Sequence, residues 1–485
     1  MSARGALAIV LHTHMPYVEG FGTWPFGEEW LWEAMAGCYL PLLDLLDGGA
    51  PLTLSLTPVL CDQLDAPAVG ERFSSFVEDV RRVTHEEDAA GLRAGGHGEL
   101  ALELERSWGD YSRALERMQS RGGDLLGAFA RHAQWTSSAT HAVLPLLATD
   151  AGVRLQVLSG VRAHRRRFGA WRGGFWLPEC AYAPWIERAL EEAGAAATCV
   201  ELTASFGLGA REHLQPLRTE AGVVLVPIDR QTMSLVWSEQ GYPASGVYRD
   251  YHHHTVHHHN PWNNLGGAYE HERALAQSRA HAADFVARTI ARLRAAGESH
   301  DDGALPGGGL VVCALDTELL GHWWYEGQAW LSAVIEECSA QGLRLLRLDD
   351  ALEQIEPLAP ADAAARLRSG DGVEWRASTW GEGNDLATWS GPDVAEMAFA
   401  VRACELAVIS GARPGAAAVR ELLALQASDW PFMVARDVAV PYARERFDGH
   451  LHALERALAG GPTATLEGLA NLAVDADPAS LLLPL

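Results

Sequence analysis

GLVVCALDTELLGHWW, residues 309–324, is an apolar run that ends on an aspartate and passes into a segment crowded with acids and aromatics. A run with no polar alternation reads as a strand buried on both faces, as in a parallel sheet packed between helices. The same theme occurs in ALAIVLHTHMP (6–16), LTLSLTPVL (52–60), GFWLPECAY (174–182) and VVLVPID (223–229), and GLRLLRLDDALEQI (342–355) closes the series. Strands alternating with helical stretches over this span predict an α/β fold, a parallel sheet closing towards a barrel. In such barrels chemistry sits at the carboxyl ends of the strands.

Two acids occupy that position. Asp316 ends the 309–316 run, and Glu179 follows GFWL with Trp176 three residues before it. Both could simply cap a turn or a helix. An aromatic wall is not needed for a cap, however, and Asp316, Glu318, His322, Trp323, Trp324 and Glu326 fall within eleven residues. Paired carboxylates among tryptophans suit sugar chemistry, in which one acid stays ionised while apolar surroundings keep the other protonated near neutrality.

His12 and His14 form an H-x-H unit after the first strand, and alternation puts both on one face. They fit hydroxyl binding, metal ligation or a satisfied core equally well, so a metal-dependent hydrolase or deacetylase using His12, His14 and Asp316 stays open. Trp380 and Trp389 flank an acidic, glycine-rich loop in STWGEGNDLATWS (378–390), which suggests a platform for pyranose rings. The run HHHTVHHHN (252–260) reads as solvated loop histidines, with metal binding a minor alternative.

Residues 70–147 read as helical, the exposed stretch ALELERSWGDYSRALERMQ (101–119) among them, and 237–270 as a long loop. From about residue 376 the pattern changes. PDVAEMAFAVRACELAVI, AVRELLALQASDW and YARERFDGHLHALERALAG all carry helical periodicity. The expected division is a catalytic barrel over 1–375, with a helical insertion at about 70–135 and a loop-rich one at about 190–270. A helical domain over 376–485 then completes the cleft.

The chain has 485 residues and a net charge of −25, which argues against nucleic acid and anionic membranes and suits a neutral substrate. It contains no lysine, so its 38 basic residues are all arginine, and Schiff-base and P-loop lysine chemistry are excluded. Cys38, Cys61, Cys180, Cys199, Cys313, Cys338 and Cys404 show no paired spacing and read as thiols in a reducing compartment. No apolar run is long enough to span a membrane, and the N-terminus reads as a first strand, so a cytoplasmic location is expected.

Taken together the motifs resemble glycoside hydrolase family 57 and, within it, the 1,4-alpha-glucan branching enzymes. LHTHMP, SSATHAVLPLL (137–147), GFWLPECAY, LDTELLGHWWYEG, ASTWGEGNDLATW and LALQASDWPFMV (423–434) follow the family's order over most of the chain. The resemblance implies an incomplete (β/α)7 barrel and a retaining reaction on α-1,4-glucan, with no cofactor or metal, as a monomer or small homo-oligomer. It makes Glu179 the nucleophile and Asp316 the general acid/base. His12, His14, His141 (beside Thr140) and Trp176 are then expected at the donor subsites, with His322 and Trp323 also on substrate. Trp380 and Trp389 would hold the glucan, and Asp429 would reach back to the cleft. In VWSEQGYP (236–243), Tyr242 matches a tyrosine that shields the intermediate from water, and Trp262 is placed near it. The histidine run that follows departs from the family pattern. The same site could serve an α-amylase or a 4-α-glucanotransferase, and a glucan-binding protein without catalysis is a further alternative.

Overall fold

Among the described residues nine strands form one sheet, and all but one of its pairings are parallel. They are β1 (Ala6–Thr13), β2 (Thr53–Leu56), β3 (Ala133–Ser137), β4 (Gly174–Trp176), β5 (Ala197–Val200), β6 (Leu217–Arg218), β7 (Val224–Pro227), β8 (Leu310–Asp316) and β9 (Arg344–Leu345). The computed structural model describes residues 5–22, 26–298, 305–368, 377–411, 415–460 and 469–482. Strand order is β6-β7-β5-β4-β3-β2-β1-β8, with β9 beside the start of β1 and β6 antiparallel to β7. β1 is buried along all eight residues, as its unbroken apolar sequence predicts.

From β7 to β8 the seven parallel strands curl into an incomplete (β/α)7 barrel. Its two ends meet where the Asp229 N–H, just after β7, donates to the Val312 carbonyl of β8 at 2.9 Å. The Asp229 carboxylate, fully buried, is held there by Arg292 at 3.2 Å. The crossover helix Asp150–Phe168 is capped by Thr149, whose hydroxyl accepts from the Gly152 N–H. Its Gly160 lies so close to β3 that a Cβ there would stand 2.0 Å from the Ser137 carbonyl oxygen, so only glycine permits the approach.

Helices Val69–Ser75, Arg82–Ala94 and Gly98–Ser120 lie between β2 and β3. The last buries Leu100, Leu104, Ala114, Leu115 and Met118 along one stripe and leaves its charged face outward. Two expectations are corrected here. The 70–147 stretch is not all helical, because it contains β3, a five-residue strand, followed by the loop that carries His141. The 190–270 region contains β5 and β6 besides the strand expected at 223–229, which is β7, and so builds the sheet as well as carrying loops. Helices Ala395–Ser410, Ala416–Leu425, Asp429–Ala435 and Val440–Leu458 make up the C-terminal part. The expected boundary at 375/376 lies outside the described residues.

Candidate active site

β1 and β8 run in register, with His12 opposite Asp316, and His12 also faces Ser55 on β2. Register partners in a parallel pair point to the same side, so His12 and Asp316 share the barrel interior. One residue further on, the Thr13 and Thr317 hydroxyls bond at 2.7 Å and tie the two strand ends together.

Glu179 comes from the turn Pro178–Cys180 after β4. It and Cys180 both have left-handed backbones, φ 60 and 47, and His141 has φ 60. Left-handed non-glycine residues are uncommon and costly, and they concentrate where surrounding structure must aim a side chain. The Glu179 carbonyl accepts the Trp380 N–H at 3.0 Å, and the Trp380 indole N–H donates to Glu179 Oε2 at 2.8 Å. The Ser428 hydroxyl stands 3.5 Å and His141 Nδ1 3.8 Å from Glu179 Oε1.

Three histidine rings line the floor, with Trp176 packed behind them. His12 stacks on Trp176 with centroids 4.6 Å apart, and His14 on His141 at 4.0 Å. His12 Nε2 and His141 Nε2 share a hydrogen bond at 2.8 Å, and His141 Nδ1 bonds the Ser428 hydroxyl at 2.8 Å. His14 Nε2 meets Asp429 at 2.9 Å while its backbone N–H donates to Glu318 at 3.2 Å. Glu318 also accepts the Tyr39 hydroxyl at 2.6 Å.

Burial dominates the electrostatics. It pushes Glu179 up to about 7, against the lowering effect of the Trp380 hydrogen bond, and the neighbouring Asp316 adds to the rise. Asp316 is likewise pushed up to about 7 by burial, with His14 opposing. Glu318 rises to about 8 by burial, the Tyr39 hydrogen bond opposing and Asp316 adding. Burial holds His12 and His141 well below the usual imidazole range, helped by neighbouring histidines. Burial would lower His14 too, but Asp429, Glu318 and Glu179 together raise it.

The cleft over these groups has a volume of about 570 Å³. Of the expected site residues, His12, His14, His141, Glu179, Asp316, His322, Trp323, Trp380 and Asp429 line it. Trp176 is fully buried directly behind His12. Thr140 is buried as well, and its hydroxyl donates to the Leu423 carbonyl at 2.5 Å, fastening the His141 turn to the C-terminal helices.

Three expectations are corrected, for the structure places these residues outside the cleft. Tyr242 donates its hydroxyl to Asp284 at 2.8 Å and stacks on His281 at 4.5 Å, on the helix His271–Gly297. Trp262 stacks on His253 at 3.8 Å. Trp389 is 2% exposed, packed with Val143 and Ala181 behind the loop that carries Trp380.

The histidine run is not simply solvated. His252, His254, His258 and His259 line the far end of the cleft together with Glu29, Glu33 and Arg81. His257 anchors the loop on Asp88 at 2.8 Å, and the Arg81 guanidinium donates to the His257 carbonyl at 2.8 Å. These partners lie far upstream in the chain, so no local pattern marks them. Sequence reasoning marks Glu318 only as part of the cluster after Asp316, without a role, and misses Ser428 and Tyr39. For Ser428 the only signal is its proximity to Asp429. Among the described residues, no group of three or more histidine, cysteine or acidic side chains is arranged to hold a metal ion.

The family model for glycosyl hydrolase family 57 matches residues 135–361, and that for the 1,4-alpha-glucan branching enzyme C-terminal region matches 401–466. A probable 1,4-alpha-glucan branching enzyme of Mycobacterium tuberculosis is 33% identical, the alignment covering 96% of this chain and 95% of that protein. The crystal structure of a branching enzyme of this type from Pyrococcus horikoshii is 30% identical and superposes with a TM-score of 0.85, over 99% of this chain and 97% of that one. One from Thermococcus kodakaraensis, solved in complex with glucose, is 28% identical with a TM-score of 0.82, over 98% and 95%. With relatives matched over nearly its whole length and acids in the strand-end positions its motifs predict, the chain belongs to glycoside hydrolase family 57.

Proposed function

We propose that the chain is a 1,4-α-glucan branching enzyme that works by retaining transglycosylation. Relatives over the full length and the match of the C-terminal region support the activity. The site supports the chemistry through one observation above the rest. Glu179 and Asp316, from opposite parts of the sheet, share a cleft, and each is held near pH 7. Two half-buried acids that repel each other's charge hold one proton between them around neutrality.

Hydrogen bonds decide where the charge rests. Trp380 and Ser428 donate to Glu179, which favours its anion. Among the described residues no side chain donates in this way to Asp316. Glu179 is therefore the nucleophile that attacks the anomeric carbon, and Asp316 keeps the proton that goes to the departing glycosidic oxygen. The resulting glycosyl-enzyme is resolved by the 6-hydroxyl of an acceptor glucan, whose proton returns to Asp316, and an α-1,6 branch forms. His12, His141 and Trp380 form the wall at Glu179, with Trp176 backing His12. Trp323, at 40% exposure on the segment after Asp316, offers an indole face to sugar. No helix among the described residues is long and apolar enough to cross a membrane.

The test is linkage analysis of the product made from linear amylose. The expected result is α-1,6 linkages well in excess of new reducing ends. Reducing ends alone would make the chain a hydrolase, and redistributed α-1,4 linkages alone a 4-α-glucanotransferase. Either result overturns the proposal.

A further inference from the structure

Trp380 contacts the nucleophile twice, through its backbone N–H and its indole N–H. It sits on a loop, not on the barrel, so something must hold that loop in place. Its carbonyl is taken by the guanidinium of Arg230, with NH1 2.6 Å from the oxygen. Arg230 does not line the cleft.

The base of this contact is rigid. Arg230 follows Asp229, whose N–H bonds β8 and whose carboxylate is held by Arg292. NH1 of Arg230 also lies 3.6 Å from Oε2 of Glu201, a fully buried carboxylate one residue beyond β5. The arginine thus rises from the carboxyl end of β7, is paired at the carboxyl end of β5, and reaches across to the Trp380 carbonyl. Three consecutive contacts then run Glu201 to Arg230, Arg230 to Trp380, and Trp380 to Glu179.

We infer that Arg230, anchored by Glu201, is a positioning residue that sets the Trp380 indole on the Glu179 carboxylate. The contact is made to the tryptophan backbone, so its catalytic effect passes through the ring. Without the clamp the loop keeps its backbone bonds to the β4 turn, from the Trp380 N–H to the Glu179 carbonyl and between Ser378 and Tyr182. The far side of Trp380 is released, however, and the indole hydrogen bond is made only part of the time. The inference rests on Glu179 being the nucleophile.

The experiment is a double-mutant cycle on the rate of amylose conversion, with Arg230→Gln measured in the wild-type and Trp380→Phe backgrounds. The expected result in the wild-type background is a kcat loss of about tenfold with KM little changed. The acidic limb of the rate profile should move to higher pH, because the hydrogen bond that favours the Glu179 anion is weakened while Asp316, His14, His141 and Asp429 still face it. In the Trp380→Phe background Arg230→Gln should cost almost nothing further, and Arg230→Lys, which can still donate to the carbonyl, should recover most of the wild-type rate. An equal fractional loss in both backgrounds, an unmoved acidic limb, or a loss confined to KM would each overturn the inference. Should Arg230→Gln fail to fold, Glu201→Gln carries the same test, since it keeps the shape and removes only the anchoring charge. If Glu179→Gln stays active, the nucleophile assignment falls first. If it is inactive and the cycle shows no coupling, the clamp alone falls.

Discussion

Glu318→Gln should stabilise the protein at alkaline pH. The Glu318 carboxyl is 6% exposed, and burial pushes it from 4.5 up to about 8. The folded state therefore keeps this proton up to about pH 8, whereas the unfolded chain releases it near 4.5. Across that window the folded state binds more protons, so stability falls as pH rises, and outside it the contribution is flat. At about 1.4 kcal/mol per pH unit of difference, the full penalty would be roughly 4–5 kcal/mol. Water in the open cleft relieves part of it, so a penalty on the order of 2–3 kcal/mol is expected in practice. Glutamine carries no such penalty, and its amide oxygen can still accept the Tyr39 hydroxyl and the His14 N–H that Glu318 holds. The assay is denaturant unfolding of both proteins at pH 5 and pH 8.5. The variant should gain on wild type mainly at the higher pH and lose activity, the usual exchange when a strained site is relaxed. A stability difference that is the same at both pH values would refute the reasoning, because it would show that the proton on Glu318 carries no folding cost.

Three further outcomes follow from the same geometry. Glu179→Gln and Asp316→Asn should each lower the amylose-conversion rate by roughly a thousandfold or more with the fold intact by circular dichroism, and near-normal activity in either would end the assignment. Asp429→Asn should move the acidic limb of kcat/KM to higher pH. Burial then lowers His14 with less opposition, its positive form favours the Glu179 and Asp316 anions less, and this outweighs the smaller direct effect of Asp429 on Glu179. A limb that stays or moves down contradicts this. Gly160→Ala should cost about 1–3 kcal/mol in thermal unfolding, since the added methyl has no room against the Ser137 carbonyl, and a variant as stable as wild type contradicts the close approach.

Strand length, and chemistry that is local in the chain, set how much of this protein is legible in its sequence. β1 and β8 are long, unbroken and apolar, so the amino-acid pattern alone marks their ends, and His12 and Asp316 with them. β3 and β5 have five and four residues, too few for a period to show. β3 is hidden further because Gln134 and Thr136 interrupt AQWTS immediately after a helical stretch. The aromatic residues divide for another reason. Trp380 and Trp389 lie in one motif, yet the first turns its indole to Glu179 while the second fills the space behind. A tryptophan suits a sugar face and an apolar core equally well, and only the turn of the loop between them decides. Tyr242 shows the same limit. Its ring is amphipathic, and the Asp284 that takes its hydroxyl comes from a helix that does not touch the cleft.

The dependence of Glu179, the proposed nucleophile, on distant chain segments explains why the C-terminal helices cannot be treated as an accessory. Glu179 is half-buried, where a bare carboxylate is disfavoured, and β4 and its turn supply no donor to the carboxyl oxygens. The donors come from Trp380 and from Ser428, both beyond the last barrel strand. His14, whose positive form favours both carboxylate anions, is lowered by burial but raised overall, chiefly by Asp429 of the same C-terminal segment. Ser428 further fixes His141, which in turn bonds His12. The barrel aims the two carboxyl groups, and Trp380 and Ser428 supply the donors that favour the anion on Glu179.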